Sequence, residues 1–342
     1  MTSGMPASKA KPLVSRLLAD YCDRHDLSLV IDKALGHAGY IANKAGKRSF
    51  FVGTRFDLNP LGASEIARDK AYTAEFLRRD GFPVPDSLLI NSPSSIAVLS
   101  SRQPGYTDAL MGFQAAERFA ETVGFPLFAK PNDGKEGSDV FKVRTRAELS
   151  SILNNLFQRH DRVLLQQAVT GRDLRVLVLG NKILCAIERT APEVIGDGRS
   201  TLAELAGGIN QIDPEDPRLV QTLGDQGYAL SDVPATGVAV SLLPTANLSS
   251  GGRALDVTQN LPKAIADAAI ASGKALGLSY FGADLIVQSA KDASSPDFTI
   301  LELNAAPGLS MLHRLGPKHA KMVEGIYEQV FEALRQKLEA TY

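Results

Sequence analysis

The sequence of 342 residues lacks most of the features that would place it outside the ordinary soluble globular proteins. Cysteine occurs only twice, as Cys22 and Cys185, too few for a disulfide framework or a cysteine-based zinc site. The five histidines include no His-x-x-x-His pair, so a histidine metal site is not expected. Charge of neither sign dominates. The formal net charge is -1, with Lys and Arg spread along the chain, which excludes an electrostatic footprint for nucleic acid or an anionic membrane. No apolar run reaches the roughly 18 residues of a membrane helix, and the N-terminus has no signal-peptide core. Gly-x-x-x-x-Gly-Lys-[Ser/Thr] is missing, as is Gly-x-Gly-x-x-Gly, so neither a P-loop nor a dinucleotide fingerprint is present. No fixed-period repeat or low-complexity tract interrupts the chain. The expectation is a cytoplasmic protein of two or three packed lobes.

What is present is a mixture of helical and strand-like segments. Residues 1–10 are small and polar and read as disordered. Lys11 to His25 has helical periodicity, Tyr40 to Val52 reads as a hairpin turning at Lys44-Ala45-Gly46-Lys47, and one helix is expected from Ser64 to Arg79, stopped by Gly81. An α/β region follows: helix Phe113 to Val123, strand Leu127 to Lys130, a helix capped by Thr145 and Glu148, then strands Val163 to Gln167 and Leu174 to Leu179. Thr201-x-x-Glu204 caps a short helix. Gly207 to Thr245, rich in Gly, Asp, Pro and Gln, reads as a long surface excursion. A helix starts at Asn260-Leu261-Pro262, and another runs from Pro317 to Ala340.

Two acidic strands near the C-terminal end carry the chemistry. Gly282 to Val287 and Ile300 to Asn304 are short, alternating apolar runs. Residues i and i+2 of a strand share a face, so Glu302 and Asn304 point the same way, and Asp284 stands between apolar neighbours. Two carboxylates and an amide oxygen are hard ligands that suit Mg²⁺ bridging substrate phosphates. An exposed polar position on an amphipathic strand is the ordinary reading of any single Asp or Glu, but Asp and Asn are poor strand formers. A Pro-Gly turn follows Asn304 closely. Upstream, Leu127 to Lys130 delivers a lysine into a loop holding Gly134, Gly137 and Ser138, where backbone N–H groups can cradle phosphate. Lys70 by itself reads as an exposed helix lysine. Gln166-Gln167-Ala168-Val169 ends a strand whose backbone can read an adenine edge, and Asp173 can accept from ribose hydroxyls.

Read in order, Asp69-Lys70, Ala129-Lys130-Pro131-Asn132, Gly171-Arg172-Asp173-Leu174-Arg175-Val176, Gly196-Asp197-Gly198, Gly282-Ala283-Asp284 and Glu302 to Gly308 resemble the ATP-grasp superfamily. More narrowly, together with Asn247 to Gly252, they resemble the ATP-grasp domain of cyanophycin synthetases, and much of the pattern is shared with bifunctional glutathione synthetases. The resemblance implies an α/β (α+β) ATP-grasp fold: an N-terminal lobe over 1–66, a central lid subdomain over 67–170, and a C-terminal catalytic subdomain over 171–342. It also implies an ATP-dependent ligase that phosphorylates a carboxylate and passes the acyl phosphate to an amine. Lys70 and Lys130 would bind phosphates, and Asp133 to Val140, with Gly134, Gly137 and Ser138, would cover the γ-phosphate. Gln166, Gln167, Ala168 and Val169 would form the adenine hinge and Asp173 the ribose contact. Asp284, Glu302 and Asn304 would hold Mg²⁺, and Arg175 and Arg189 would steady the transferred phosphoryl or the acyl phosphate. The implied partners are ATP and amino-acid or peptide substrates, with a homodimer as the usual assembly, and neither nucleic acid nor membrane.

The sequence departs from that pattern. Cyanophycin synthetases continue into a second, P-loop-bearing ligase domain, absent here, so the full two-reaction polymer cycle is not expected. Phe56-Asp57-Leu58-Asn59-Pro60 stands where the family is rich in Thr and Ser, Lys135 and Glu136 enter the lid loop, and Gln166-Gln167 replaces acidic residues. Phe56 reads as either a pocket wall or core. Arg55, Arg253 and Arg314 are candidates to pair with a substrate carboxylate. The leading expectation is a stand-alone amino-acid or peptide ligase. A glutathione synthetase-like ligase, a non-catalytic nucleotide-binding protein and a small-molecule kinase are the alternatives.

Overall fold

Val14, Leu18, Tyr21 and Cys22 lie along one stripe of the helix Leu13–Arg24, and that stripe buries against Val323, Tyr327, Phe331 and Leu334 of the helix Pro317–Glu339. The two ends of the described chain thereby share one core. The structure, a computed structural model, describes residues 11–133, 139–209, 211–288 and 297–340. Against this helix pair lies a sheet of β1 (Ser28–Ile31), β2 (Ala38–Ala42), β3 (Arg48–Val52) and β4 (Arg55–Phe56), in that order. The β2–β3 hairpin turns where Gly46 takes φ 80°, a conformation that glycine adopts without a Cβ penalty. Ile41, Phe51 and Phe56 face the core, and Phe56 meets Phe331 edge-on at 5.8 Å. Phe56 is therefore core.

The single helix expected from Ser64 to Arg79 is two, Leu61–Arg68 and Lys70–Arg79. Asp69 breaks it, with φ -91° and ψ 108°. Its carboxylate accepts from the Tyr72 N–H at 3.0 Å and pairs with Arg162 at 2.8 Å. A short acidic side chain competes with the helix ladder and favours a cap, which here also starts the second helix at Lys70.

A second sheet, in the order β5-β8-β6-β7, comprises β5 (Ser87–Asn91), β6 (Leu127–Pro131), β7 (Phe141–Val143) and β8 (Arg162–Gln167). The helices Phe113–Val123 and Arg146–Leu156 cover it through Ala116, Ala120, Leu149, Leu153 and Leu156. The third sheet combines β9 (Arg172–Leu179), β10 (Lys182–Thr190), β13 (Arg253–Asp256), β14 (Tyr280–Val287) and β15 (Phe298–Asn304), in the order β13-β10-β9-β14-β15. Between β10 and β13 the short strands β11 (Glu193–Ile195) and β12 (Ala239–Ser241) pair with each other. The helix Lys263–Ala275 lies on the large sheet so closely that a Cβ at Gly273 would come within 1.9 Å of the Phe281 ring. Every strand pairing among the described residues is antiparallel, so the fold is α+β.

Gly207 to Thr245 is not a structureless excursion. It contributes the helix Pro217–Asp225 and β12, and Ile212, Leu219, Leu223, Val240, Leu242 and Leu243 pack with Leu202 and Ala206 into a separate small core. Its polar composition hides an amphipathic helix whose apolar residues recur at four-residue spacing. No described helix is long and apolar enough to cross a membrane.

Candidate active site

Strand register builds the site. Asp284 on β14 stands directly opposite Arg175 on β9 and Glu302 on β15, so the three form one row across the sheet. Two residues along β9, and on the same face, Asp173 stands opposite Arg189 of β10. Asn304 lies on that face of β15, two residues beyond Glu302.

The row is held by charge. Arg175 donates from Nε and Nη2 to the two Asp284 oxygens at 2.7 and 2.6 Å, and Arg189 Nη2 lies 3.2 Å from Asp284 Oδ2. Arg189 also donates to Asp173 Oδ1 from Nε at 2.9 Å and Nη2 at 2.6 Å. Burial by itself would raise the Asp284 carboxyl, but Arg175 and Arg189 outweigh it and hold the group below the usual carboxylate range. Burial pushes Asp173 up to about 6, against the pull of Arg189. The Nη1 atoms of both arginines make no hydrogen bond among the described residues, so each keeps two N–H groups for another anion.

Two lysines come from the other side. Lys70, first residue of its helix, approaches Glu302 to 3.8 Å and donates to the Asn132 carbonyl at 3.4 Å. Lys130 on β6 donates to Gln166 Oε1 on β8 at 2.8 Å. Burial pulls the Lys130 ammonium down to about 8, with Glu302 and Asp284 opposing and Lys70 adding to the shift. Four cations thus face three carboxylates, an excess that favours an anionic ligand. Asn132 and Gln166 are buried, with Oδ1 and Oε1 engaged by the Ala71 N–H and Lys130, while Asn132 Nδ2 and Gln166 Nε2 have no partner among the described residues. Buried donors without acceptors are costly. Their company with two lysines fits a group rich in acceptor oxygens.

The structure thus brings Lys70, Lys130, Gln166, Asp173, Arg175, Arg189, Asp284, Glu302 and Asn304 around one face. Gln167 and Ala168 have their N–H groups engaged by the Asp86 and Pro126 carbonyls, and Val169 is half-buried beside them. Gly134, Gly137 and Ser138 lie outside the described residues. Arg253 pairs with Glu193 at 3.0 Å, an exposed ion pair. Sequence pattern assigned Asn132 no role of its own, although an asparagine directly after Lys-Pro at a strand end was the available signal.

For a divalent cation the donor chemistry fits. Glu302 and Asn304 offer hard oxygens, and Asp284 accepts two hydrogen bonds from Arg175 and pairs with Arg189, fewer contacts than the roughly four a carboxylate can take. Among the described residues no three His, Cys, Asp or Glu side chains gather as a metal group.

Residues 103–197 match the family described as D-ala D-ala ligase C-terminus. The cyanophycin synthetase of Trichormus variabilis is 32% identical over 304 residues, covering 83% of this chain and 30% of the relative. The bifunctional glutathione biosynthesis protein of Streptococcus agalactiae is 28% identical over 58% of this chain and 29% of its own length. This chain therefore spans about a third or less of the curated relatives it matches. In structure, the bifunctional glutathione synthetase from Pasteurella multocida superposes with a TM-score of 0.53 at 19% identity, over 93% of this chain and 44% of that one.

Proposed function

Because the chain belongs to the ATP-grasp superfamily, we propose that it is an ATP-dependent ligase joining the carboxylate of one amino acid or short peptide to the amine of another, releasing ADP and phosphate. The observation that carries this reading is the facing of Lys70 and Lys130 across to the row Arg175–Asp284–Glu302. Phosphoryl transfer needs positioning and charge neutralisation more than a protein nucleophile, and the described residues of the site offer both. Lys70 and Lys130 bind the nucleotide phosphates, Gln166 to Val169 and Asp173 the nucleoside, and Arg175 and Arg189 turn their Nη1 donors to the transferred group. Glu302, Asn304 and Asp284 hold Mg²⁺, which when bound neutralises phosphate oxygens and aligns the reacting groups. Use of ATP and free amino acids suits a cytoplasmic enzyme.

The test is a phosphate-release screen over pairs of amino acids and short peptides, with mass analysis of products. Phosphate release that needs both a carboxylate and an amine, with an amide product, is the expected result. ADP formation with a carboxylate or hydroxyl compound alone, and no amide, would make the chain a kinase instead.

The lysines give two further expectations. Lys70→Met and Lys130→Met should each weaken ATP binding by roughly 1.5–3 kcal/mol, the worth of a lost charge-assisted bond. Calorimetry showing unchanged affinity in both would make them structural. Lys130 is protonated below about pH 8, and a bound phosphate favours the protonated form. Binding above pH 8 therefore takes up a proton, and ATP affinity should fall as pH rises through that value. Lys130→Met should abolish this dependence.

A further inference from the structure

Asn59 lies in the loop between β4 and the helix Leu61–Arg68, within the segment where the sequence departs from its relatives. Its side chain spans more than 200 residues of sequence. Nδ2 donates to the Tyr280 carbonyl at 2.6 Å and the Ala305 carbonyl at 3.0 Å, and Oδ1 accepts from the Ser279 and Tyr280 N–H groups at 2.8 and 2.9 Å. An amide has two N–H groups and two oxygen lone pairs, so all four positions are used. Asn59 has nothing left for a substrate. Five residues earlier, Thr54 Oγ1 donates to the Ala306 carbonyl at 2.9 Å. Between these two anchored carbonyls the Ala306 N–H donates to Asn304 Oδ1 at 3.0 Å.

The N-terminal lobe thus grips the turn that orients Asn304. The grip is stiff, because Phe56, Leu309 and Leu312 from both sides of it pack in the same core cluster. Nothing else in the loop carries comparable bonding: Asp57 reaches Lys337, on the exposed surface. A side chain that ligates a metal needs its plane and rotamer fixed by its neighbours. Here the neighbour is the Ala306 amide, whose place depends on carbonyls held by Asn59 and Thr54.

We infer that Asn59 and Thr54 are positioning residues through which the N-terminal lobe sets Asn304 for the metal. This rests on the reading of Asp284, Glu302 and Asn304 as the Mg²⁺ site. Mn²⁺ is the probe, titrated into the 342-residue chain with the β,γ-imido analogue of ATP and followed by the resonance of free Mn²⁺. Thr54→Val removes one anchor and should weaken Mn²⁺ binding about tenfold, while Thr54→Ser, which keeps the hydroxyl, should bind as the wild type. Asn59→Asp sets a carboxylate against two carbonyls and should weaken binding further, toward 100-fold. If Asn59→Asp does not fold, the Thr54 pair decides. A purely structural role would lower the melting temperature of Thr54→Val and leave its Mn²⁺ affinity alone, and that result overturns the inference. Absence of Mn²⁺ binding in the wild type would instead overturn the metal site itself, and the inference with it.

Discussion

Glu302→Gln is expected to fold like the wild type and to lose turnover by roughly 10²–10³-fold, the effect of removing one preorganised electrostatic partner. The change keeps shape and volume and deletes one negative charge. Glu302 is 28% exposed at its side chain and its ion pair with Lys70 is long, at 3.8 Å, so stability has little to lose. A carboxylate that holds Mg²⁺ cannot be replaced by an amide without loss of charge at the phosphates. The defect should be accompanied by a higher Mg²⁺ requirement. Near wild-type turnover at saturating Mg²⁺ would remove Glu302 from the metal site.

Asp284→Ala is expected to behave in the opposite way, costing stability as well as activity. Asp284 is 4% exposed and is the shared acceptor of Arg175 and Arg189. Its loss leaves both guanidiniums on the sheet face without their shared acceptor, with Arg189 still bonded to Asp173. Breaking a buried pair from one side costs about 3–5 kcal/mol, because the other charge stays buried without compensation. Urea titration should show the midpoint falling with little change in slope. A loss below about 1 kcal/mol would mean that water reaches both arginines, and the row would then be no more than a surface ion-pair cluster. The contrast between the two variants separates the acid that organises the site from the acid that faces its ligand.

Several parts of this molecule were legible from local pattern. The helices Phe113–Val123 and Pro317–Glu339 and the strands around Asp284 and Glu302 follow from spacing and capping, because helix and strand periods depend on neighbours in sequence. Period two also placed Glu302 and Asn304 on one face before any fold was known. Composition misled at Gly207 to Thr245, where glycine, proline and acidic residues surround the helix Pro217–Asp225 and its own small core. The break at Asp69 was hidden for a related reason. A helical pattern continues on either side, and only the pairing with Arg162 and the cap on Tyr72 favour the kinked form.

Sequence by itself determined which residue types this protein has for binding phosphate and a hard cation, and which of them share a strand face. Tertiary structure decided what they touch. Strand register set Arg175, Asp284 and Glu302 in one row, and no signal in a single strand encodes register against a partner. Packing brought Lys70 to Glu302 and Lys130 to Gln166. Asn59, unremarkable in its loop, gained four bonds only because two distant segments fold against it. Local propensity acts over a few residues, whereas hydrogen bonds and ion pairs across more than 200 residues form only once the whole chain has closed.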